Sequence, residues 1–507
     1  MNLKKILKES VWIYLFVLIA AIAGYLVRAL YARNFTVAEY GLFYSVLTFI
    51  FLFNTLRNLG FDSSQLFHMN KFLARLEYKK AKAVLFIALI PQMILSILIA
   101  AIIFLLKPYL VSNFFKSPIS GSMIDILLIL FIIQPVIFSL SSAFGSFQKH
   151  LLFQLKDFLN IIFVFLLSLL FFNLNFSLLT APLSYLFAGI LTLAVYLVMY
   201  KIRLKKLHVK PQYDKKTAKG VFGYAFALSL GSFAGLILPY SDTMILTWMR
   251  GVQSVGYYHV VLPSVQIVFL LTIPAINLLA PVAINLFHNK KKGQFAALTS
   301  FVYNNFLIFT LPLAIIFFVY SGEIINFIFG SKYLQASLAL KIYVIFWIFM
   351  FLRRVNFAFL SAIGEVKYIA KALWIGVIFN IILDIILIRY YDYTGAVVAT
   401  GLGFVIITSL TYNRLRKKTT IRIDYKQQLK ILTAGALFLS VAMFLESLIF
   451  ITIGKLSVVV EGAIVFLTSG SLYVIALVLF KVITKTKIIY LKNLIFKSDN
   501  KLESVNQ

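Results

Sequence analysis

The sequence lacks cysteine and contains few acidic residues. The absence of cysteine from 507 residues excludes disulfides, thiolate metal sites and cysteine nucleophiles. The 17 Asp and Glu show no clustered pair, and the five His are scattered without metal-ligand spacing. No Walker-type glycine loop is present, so the chain hydrolyses no nucleotide itself. From these absences we expect no cofactor and no metal centre, and they disfavour hydrolytic catalysis.

Long apolar segments dominate the chain instead. The sequence is 62% hydrophobic and 13% charged, with a mean hydropathy of +0.95. Each apolar segment has the ~20 residues that a helix needs to cross ~30 Å of hydrocarbon. We therefore predict an all-α, polytopic membrane protein of about 14 transmembrane helices. They are predicted at 11–32, 40–57, 83–106, 122–145, 158–173, 178–200, 221–249, 257–286, 299–320, 337–362, 371–391, 395–413, 431–452 and 458–481.

The basic residues are distributed unevenly between the gaps. Most of the 48 Lys and Arg lie at the N-terminus, in every second gap and in the C-terminal tail. The other gaps contain only Arg33, Lys107, Lys116, Arg250, Lys332 and Lys455. Because short basic loops stay in the cytoplasm, we predict a multi-pass protein of the inner (cytoplasmic) membrane with both termini cytoplasmic. The net charge of +31 then indicates membrane lipids as partners and no nucleic acid, since the charges form no folded basic face.

Two sequence patterns recur at a nearly constant offset. The stretch "AR…EYGLF" (32–43) is similar to "MR…SVGYY" (249–258), and "SAFG" (142–145) is similar to "SAIG" (361–364). The recurrence predicts two pseudo-symmetric six-helix lobes of the same orientation, a design that suits alternating access. The predicted parts are an N-lobe at 1–206, a cytoplasmic linker at 207–220, a C-lobe at 221–415, two extra helices at 431–481 and a cytoplasmic tail at 482–507.

Several stretches resemble the Wzx-type polysaccharide flippases, whose superfamily also contains the lipid II flippase and the multidrug extruders. They are "YARNFTVAEYGLFYSVLTFI" (31–50), "NLGFDSS" (58–64), "YSDTMILTWMRGVQSVGYYHVV" (240–261), "LLAPVAIN" (278–285) and "FNIILDIILIRYYDYTGAVVATGLG" (379–403). The resemblance implies a transporter that moves a polyprenyl-diphosphate-linked oligosaccharide across the cytoplasmic membrane by alternating access. It leaves open a coupling ion, H⁺ or Na⁺, and a glycan polymerase or ligase as partner.

The resemblance to the lipid II flippase points to particular residues. Its first helix has a cavity-lining Arg in a pattern that "GYLVRALYAR" (24–33) matches, which places Arg28 at that position. An Asn-x-x-Arg pattern in its second helix is matched by Asn54 to Arg57, and a carboxylate near the start of that helix is loosely matched by Glu39. A further cavity Arg on its eighth helix has no counterpart in 257–286. Arg28 and Arg57 are thus headgroup candidates, and Glu39 is an ion-coupling or counter-ion candidate.

Four more charges lie inside predicted transmembrane helices. Arg353 and Arg354 are near the middle of the tenth helix, where a cation must face protein or water. Guanidinium groups match phosphate oxygens, so either arginine is a headgroup candidate; the alternative is a structural pair with Asp384. Asp242 and Asp384 are candidates for proton or cation binding, or counter-ions for these arginines.

Two other functions remain open at this point. A cation-coupled multidrug extruder would have the same fold, although such proteins usually rely on acidic residues in the N-lobe and the first helix here has an Arg. An enzyme acting on lipid-linked sugars is less favoured. The longest outer gap, about 107–121, is too short for a folded catalytic domain.

Overall fold

The computed structural model describes residues 3–175, 177–270, 273–452 and 458–484, and these are almost entirely helical, without strands. The helices are α1 (Leu3–Asn34), α2 (Val37–Asn58), α3 (Phe61–Leu73), α4 (Tyr78–Tyr109), α5 (Ile119–Ser146), α6 (His150–Asn173), α7 (Thr180–Arg203), α8 (Lys215–Arg250), α9 (Val252–Leu270), α10 (Ile273–His288), α11 (Lys292–Val319), α12 (Ser321–Phe329), α13 (Ser337–Ala362), α14 (Val366–Lys418), α15 (Tyr425–Thr452) and α16 (Val458–Leu479). The predicted all-α fold class is confirmed.

Within the described ranges, 11 helices are long and apolar enough to cross a membrane. The prediction of a multi-pass membrane protein is confirmed, while the count of 14 stays a prediction. Two predicted helices, 371–391 and 395–413, are parts of the long α14, which is interrupted at Asp392 by a non-helical backbone with φ 53° and ψ −139°. The predicted tail begins at 482, and its part from 485 onward lies outside the described residues.

The chain divides into two compact units. Unit 1 comprises 1–260 and 381–396, and it therefore contains α1 to α8, the start of α9 and the middle of α14. In it α6 packs against α1 and α7, α5 against α2, α4 and α7, and α8 against α2 and α3. Its buried cluster includes Phe61, Met69, Leu140, Phe144 and Tyr196. The start of α9 and the middle of α14 thus belong to the same unit as α1 and α2.

Unit 2 comprises 261–380 and 397–507. In it α11 packs against α13 and α15, α10 against α13, and α15 against α16. Asn356 of α13 donates hydrogen bonds to the Thr408 carbonyl (3.1 Å) and to the Thr411 hydroxyl (3.0 Å) of α14. Buried amide bonds of this kind fix the register between two apolar helices. The predicted lobe boundaries at 206 and 221 stay predictions.

Candidate functional site

Arg28 lies inside unit 1, between α1 and α2. Its Cζ is 4.6 Å from the ring centroid of Tyr44, close enough for a cation–π contact. Tyr40 and Tyr185 are also within electrostatic range of the guanidinium. The Nη1 atom is buried and makes no hydrogen bond to the described residues. Arg28 is therefore a fixed cation among tyrosines, with one donor atom unused, and its predicted role as a headgroup ligand stays a prediction.

His259 also contacts Tyr44. Its ring stacks on Tyr44 with centroids 4.9 Å apart and an interplanar angle of 16°. The Nε2 atom is 3.0 Å from the Thr243 hydroxyl, and the Tyr40 hydroxyl donates to the His259 carbonyl over 3.4 Å. The Nδ1 atom is buried and has no partner in the described part of the chain. His259 could not be identified from the sequence, because nothing local marks a histidine whose partner, Tyr44, lies more than 200 residues away.

Two carboxyl groups, those of Asp242 on α8 and Asp384 on α14, lie next to each other. Asp242 and Asp384 are 2% and 0% exposed. The Tyr258 hydroxyl donates a short 2.5 Å hydrogen bond to Asp242 Oδ2, and the Asp384 carboxyl adjoins that of Asp242. Both Asp384 oxygens are buried and receive no hydrogen bond from the described residues. Two buried carboxyl groups that adjoin each other inside an apolar helical unit are the kind of site that can hold a proton or a bound cation.

Two hydrogen bonds between α8 and α9 connect the carboxyl pair with the residues around Arg28. Asp242 and Thr243 are consecutive on α8, and their partners Tyr258 and His259 are consecutive on α9. The bond from Tyr258 ends at the carboxyl pair. The bond between Thr243 and His259 involves the ring that stacks on Tyr44, beside Arg28. We call these residues the polar centre: Arg28, Tyr44, Asp242, Thr243, Tyr258, His259 and Asp384. All lie within unit 1.

Arg57 has structural partners in unit 1. Its Nη1 donates to the Phe131 carbonyl over 2.9 Å and to Gln134 Oε1 over 3.4 Å. Phe131 is four residues before Pro135, which has no N–H to donate to that carbonyl. Arg57 therefore satisfies a carbonyl that the proline leaves unpaired in α5. Its predicted role as a headgroup ligand stays a prediction.

Glu39 closes the N-terminus of α2. Thr36 accepts a hydrogen bond from the Glu39 N–H over 3.2 Å, and the Glu39 carboxylate accepts from the Thr36 N–H over 2.8 Å. This reciprocal pair is a capping box, which satisfies two helix-end donors and places an anion at the positive end of the helix. Local helix chemistry thus accounts for Glu39, and its predicted ion-coupling role stays a prediction.

Arg353 and Arg354 belong to α13 in unit 2. The Arg353 Cζ is 4.8 Å from the ring centroid of Phe404 and 5.6 Å from that of Phe357. Its Nε is buried and makes no hydrogen bond to the described residues, whereas Arg354 is exposed. Their predicted binding of a headgroup, and the alternative pair with Asp384, stay predictions.

The chemistry available at the polar centre is that of a binding site. The described residues contain no group of three His, Asp or Glu side chains that could hold a metal ion. The carboxyl pair with its tyrosine hydroxyl offers oxygen ligands, which suit a proton or a hard monovalent cation. The arrangement offers one anion-binding side, around Arg28, and one cation-binding side, around Asp384.

Known proteins share both the sequence and the fold. The chain is 29% identical to an uncharacterized membrane protein of Methanocaldococcus jannaschii over 465 residues, covering 88% of this chain and 91% of that protein. It is 26% identical to the probable low-salt glycan biosynthesis flippase Agl15 of Haloferax volcanii over 270 residues, covering 52% and 56% of the two chains. The solved structure of the lipid II flippase MurJ in an inward closed conformation has the same fold, with a TM-score of 0.71 at 16% identity, over 92% of this chain and 100% of that one.

The family follows from a match over more than half of the sequence. The model described as polysaccharide biosynthesis protein matches residues 6–287, which contain every member of the polar centre except Asp384. The protein therefore belongs to the polysaccharide biosynthesis protein family, and its predicted resemblance to the Wzx-type flippases is confirmed.

Proposed function

We propose that the protein is a flippase that moves a polyprenyl-diphosphate-linked oligosaccharide across the cytoplasmic membrane by alternating access, and that it is not an enzyme. The observation that carries the proposal is the polar centre, which presents a fixed guanidinium and an adjoining carboxyl pair within an apolar helical unit. Family membership and the likeness to a glycan flippase of Haloferax volcanii support a lipid-linked glycan as substrate.

The diphosphate is the part of this substrate that most needs the protein. An anion leaving water for a low-dielectric interior requires fixed cations and hydrogen-bond donors. Arg28 supplies both through its charge and its unused Nη1. Arg353 and Arg354 are further headgroup candidates. The lipid tail remains in the bilayer during translocation, and a glycan polymerase or ligase receives the exported product.

The carboxyl pair is the proposed coupling site. Uptake of one H⁺ or Na⁺ cancels one of the two negative charges of Asp242 and Asp384, and its release restores their repulsion, so occupancy changes how α8 and α14 pack. We expect Asp384→Asn to abolish the stimulation of transport by a cation gradient, because the amide removes one of the two charges permanently and with it the repulsion that cation binding relieves. Proteoliposomes with imposed Na⁺ or pH gradients measure this dependence. A fully gradient-dependent Asp384→Asn variant would remove the pair from coupling.

The proposed substrate is tested by deleting the gene in the organism that carries it. We expect the surface glycan to disappear while its lipid-linked precursor accumulates, measured by mass spectrometry of extracted lipids. Re-expression of the wild-type chain should reverse both effects. Unchanged surface glycan with new drug sensitivity would instead indicate a cation-coupled multidrug extruder. Arg28 argues against that alternative, because its charge repels cationic drugs.

A further inference from the structure

We propose that His259 is a second headgroup ligand, which binds the diphosphate together with Arg28. This inference rests on the proposed function. It starts from two buried nitrogens, Arg28 Nη1 and His259 Nδ1, that lack hydrogen-bond partners among the described residues. Both side chains lie against the ring of Tyr44, at 4.6 and 4.9 Å from its centroid. Buried polar groups are seldom left unpaired, so two beside one ring indicate a ligand that pairs with both.

The hydrogen bond at the other ring nitrogen decides what His259 can offer. Nε2 is 3.0 Å from the Thr243 hydroxyl. When that hydroxyl donates to Nε2, the neutral ring carries its proton on Nδ1, and Nδ1 is then a donor. A diphosphate has several oxygens with free lone pairs, which accept hydrogen bonds from donors such as Nδ1 and Nη1. In the tautomer set by a Thr243 hydroxyl that donates to Nε2, His259 thus contributes a donor at Nδ1.

A second histidine of unit 1 shows what a purely structural histidine is like. His68 is 8% exposed, close to the 6% of His259. Its Nδ1 is 3.0 Å from the carbonyl of Ser64, one turn earlier on α3. His68 is therefore satisfied by its own helix. The Nδ1 of His259 has no such carbonyl partner among the described residues. Because this nitrogen belongs to a ring beside the fixed cation Arg28, we infer that its ligand is an anion.

The position of His259 also links the headgroup to the coupling site. Its neighbour Tyr258 donates to Asp242, and its partner Thr243 follows Asp242 on α8. A change in the carboxyl pair that shifts α8 against α9 therefore moves the His259 ring relative to Arg28. The diphosphate then meets a two-donor site in one state and a disrupted site in the other.

The test measures binding of geranylgeranyl diphosphate to the purified full-length protein in detergent, by isothermal titration calorimetry. The alcohol geranylgeraniol and inorganic pyrophosphate are measured in parallel. We expect His259→Phe, which keeps the ring stack and removes both nitrogens, to weaken diphosphate binding about 10-fold without changing alcohol binding. His259→Asn retains a polar group near Nδ1 and should weaken it less. His68→Phe is the matched control and should bind as the wild type does.

Each result decides the question. Unchanged diphosphate affinity in folded His259→Phe, alongside a loss in Arg28→Ala, overturns the role of His259 and leaves the proposed function intact. No preference of the wild type for diphosphate over alcohol overturns both. Pyrophosphate binding as tightly as the lipid diphosphate assigns the site to a free anion and also overturns the inference. If His259→Phe fails to fold, His259→Leu, which also removes both nitrogens, takes its place, and its unchanged affinity beside a loss in Arg28→Ala overturns the role of His259.

Discussion

Arg28 combines a fixed charge, an aromatic neighbour and an unused donor, so it is the residue whose loss is easiest to interpret. We expect Arg28→Ala to lower transport about 10-fold or more, since hydrogen bonds to charged groups contribute about 1.5–3 kcal/mol. Arg28→Lys should rescue part of the rate, because it keeps the charge and loses the two-pronged donor. The measurement is the flipping rate in proteoliposomes at equal protein content.

The matched control is Arg33→Ala, which removes an exposed arginine from the same helix. It should transport at the wild-type rate and be inserted in equal amounts. Wild-type transport by Arg28→Ala would exclude Arg28 from the site. Equal losses in both variants would mean that the charge of α1 matters only for insertion.

Single residues divide sharply into those that the sequence can reveal and those that it cannot. Arg28, Asp242 and Asp384 were visible because charge is costly inside an apolar segment. Tyr44 and His259 were not, since aromatic residues are common in this chain and their contact joins α2 to α9. Glu39 and Arg57 are the opposite case, because the sequence makes them functional candidates and the structure gives both of them structural partners. The spacing of Thr36 and Glu39 is the local signature of a capping box, whereas the contact of Arg57 with Phe131 becomes apparent only when the partner atoms are placed.

At the scale of elements, the internal repeat produces a direct helix contact in unit 1. The two repeated glycines, Gly41 on α2 and Gly256 on α9, face each other. A Cβ on Gly41 would lie 1.8 Å from the Val252 carbonyl oxygen, and one on Gly256 would lie 2.2 Å from the Val37 carbonyl oxygen. Small residues allow such backbone contact between membrane helices. The sequence revealed the repeat, but not that its two copies touch.

This contact gives the second prediction. Gly41→Ala should force α2 and α9 apart and destabilise the protein by about 1–3 kcal/mol, as overpacking generally does. Thermal melting in detergent measures the effect. The control is Gly223→Ala on α8, where an added Cβ meets nothing within 4 Å and alanine favours the helix. Equal melting temperatures for wild type and Gly41→Ala would show that the two helices separate freely there.

The junction between α13 and α14 gives a prediction about pH. Glu365 accepts hydrogen bonds from Arg414 Nε (3.1 Å) and Nη2 (2.9 Å), and Lys418 Nζ is 3.2 Å from its carboxylate. The hydrogen bond from Arg414, assisted by Lys418, lowers the pKa of Glu365 below its usual value. A lowered folded-state pKa means that the ion pair stabilises above pH ~4.3, the unfolded pKa, and that this stability is lost as the pH falls through the folded pKa.

We therefore expect Glu365→Gln to melt at a lower temperature than the wild type at pH 7, by an amount corresponding to about 1 kcal/mol or less, since the pair is partly exposed. The difference should shrink as the pH falls below ~4. Glu323→Gln, at a carboxylate without an ion pair among the described residues, is the control and should show no such trend. A difference that is independent of pH would mean that packing, rather than charge, makes Glu365 important.

For the whole molecule, the sequence predicts the helices much better than their arrangement. Apolar length locates most spans, and even the interruption at Asp392 falls between two predicted helices. Apolar length cannot predict which helices touch, because a hydropathy pattern does not distinguish one apolar helix face from another. The start of α9 and the middle of α14 join unit 1 through buried side chains, such as Asp384 beside Asp242, that lie far apart in the chain.

The last prediction concerns the orientation of the whole chain. The charge pattern predicts which ends of the helices face the cytoplasm, and the chain has no cysteine of its own. Single cysteines at the exposed Asn113 and Gln253 should react with a membrane-impermeant maleimide in intact cells. Cysteines at the exposed Lys206 and Lys291 should react only after permeabilisation, and the cysteine-free chain should not react at all. The opposite pattern would reverse the orientation, and with it the direction of the proposed export. Labelling of all four positions in intact cells would mean an even number of spans between successive positions, where the charge pattern predicts an odd number.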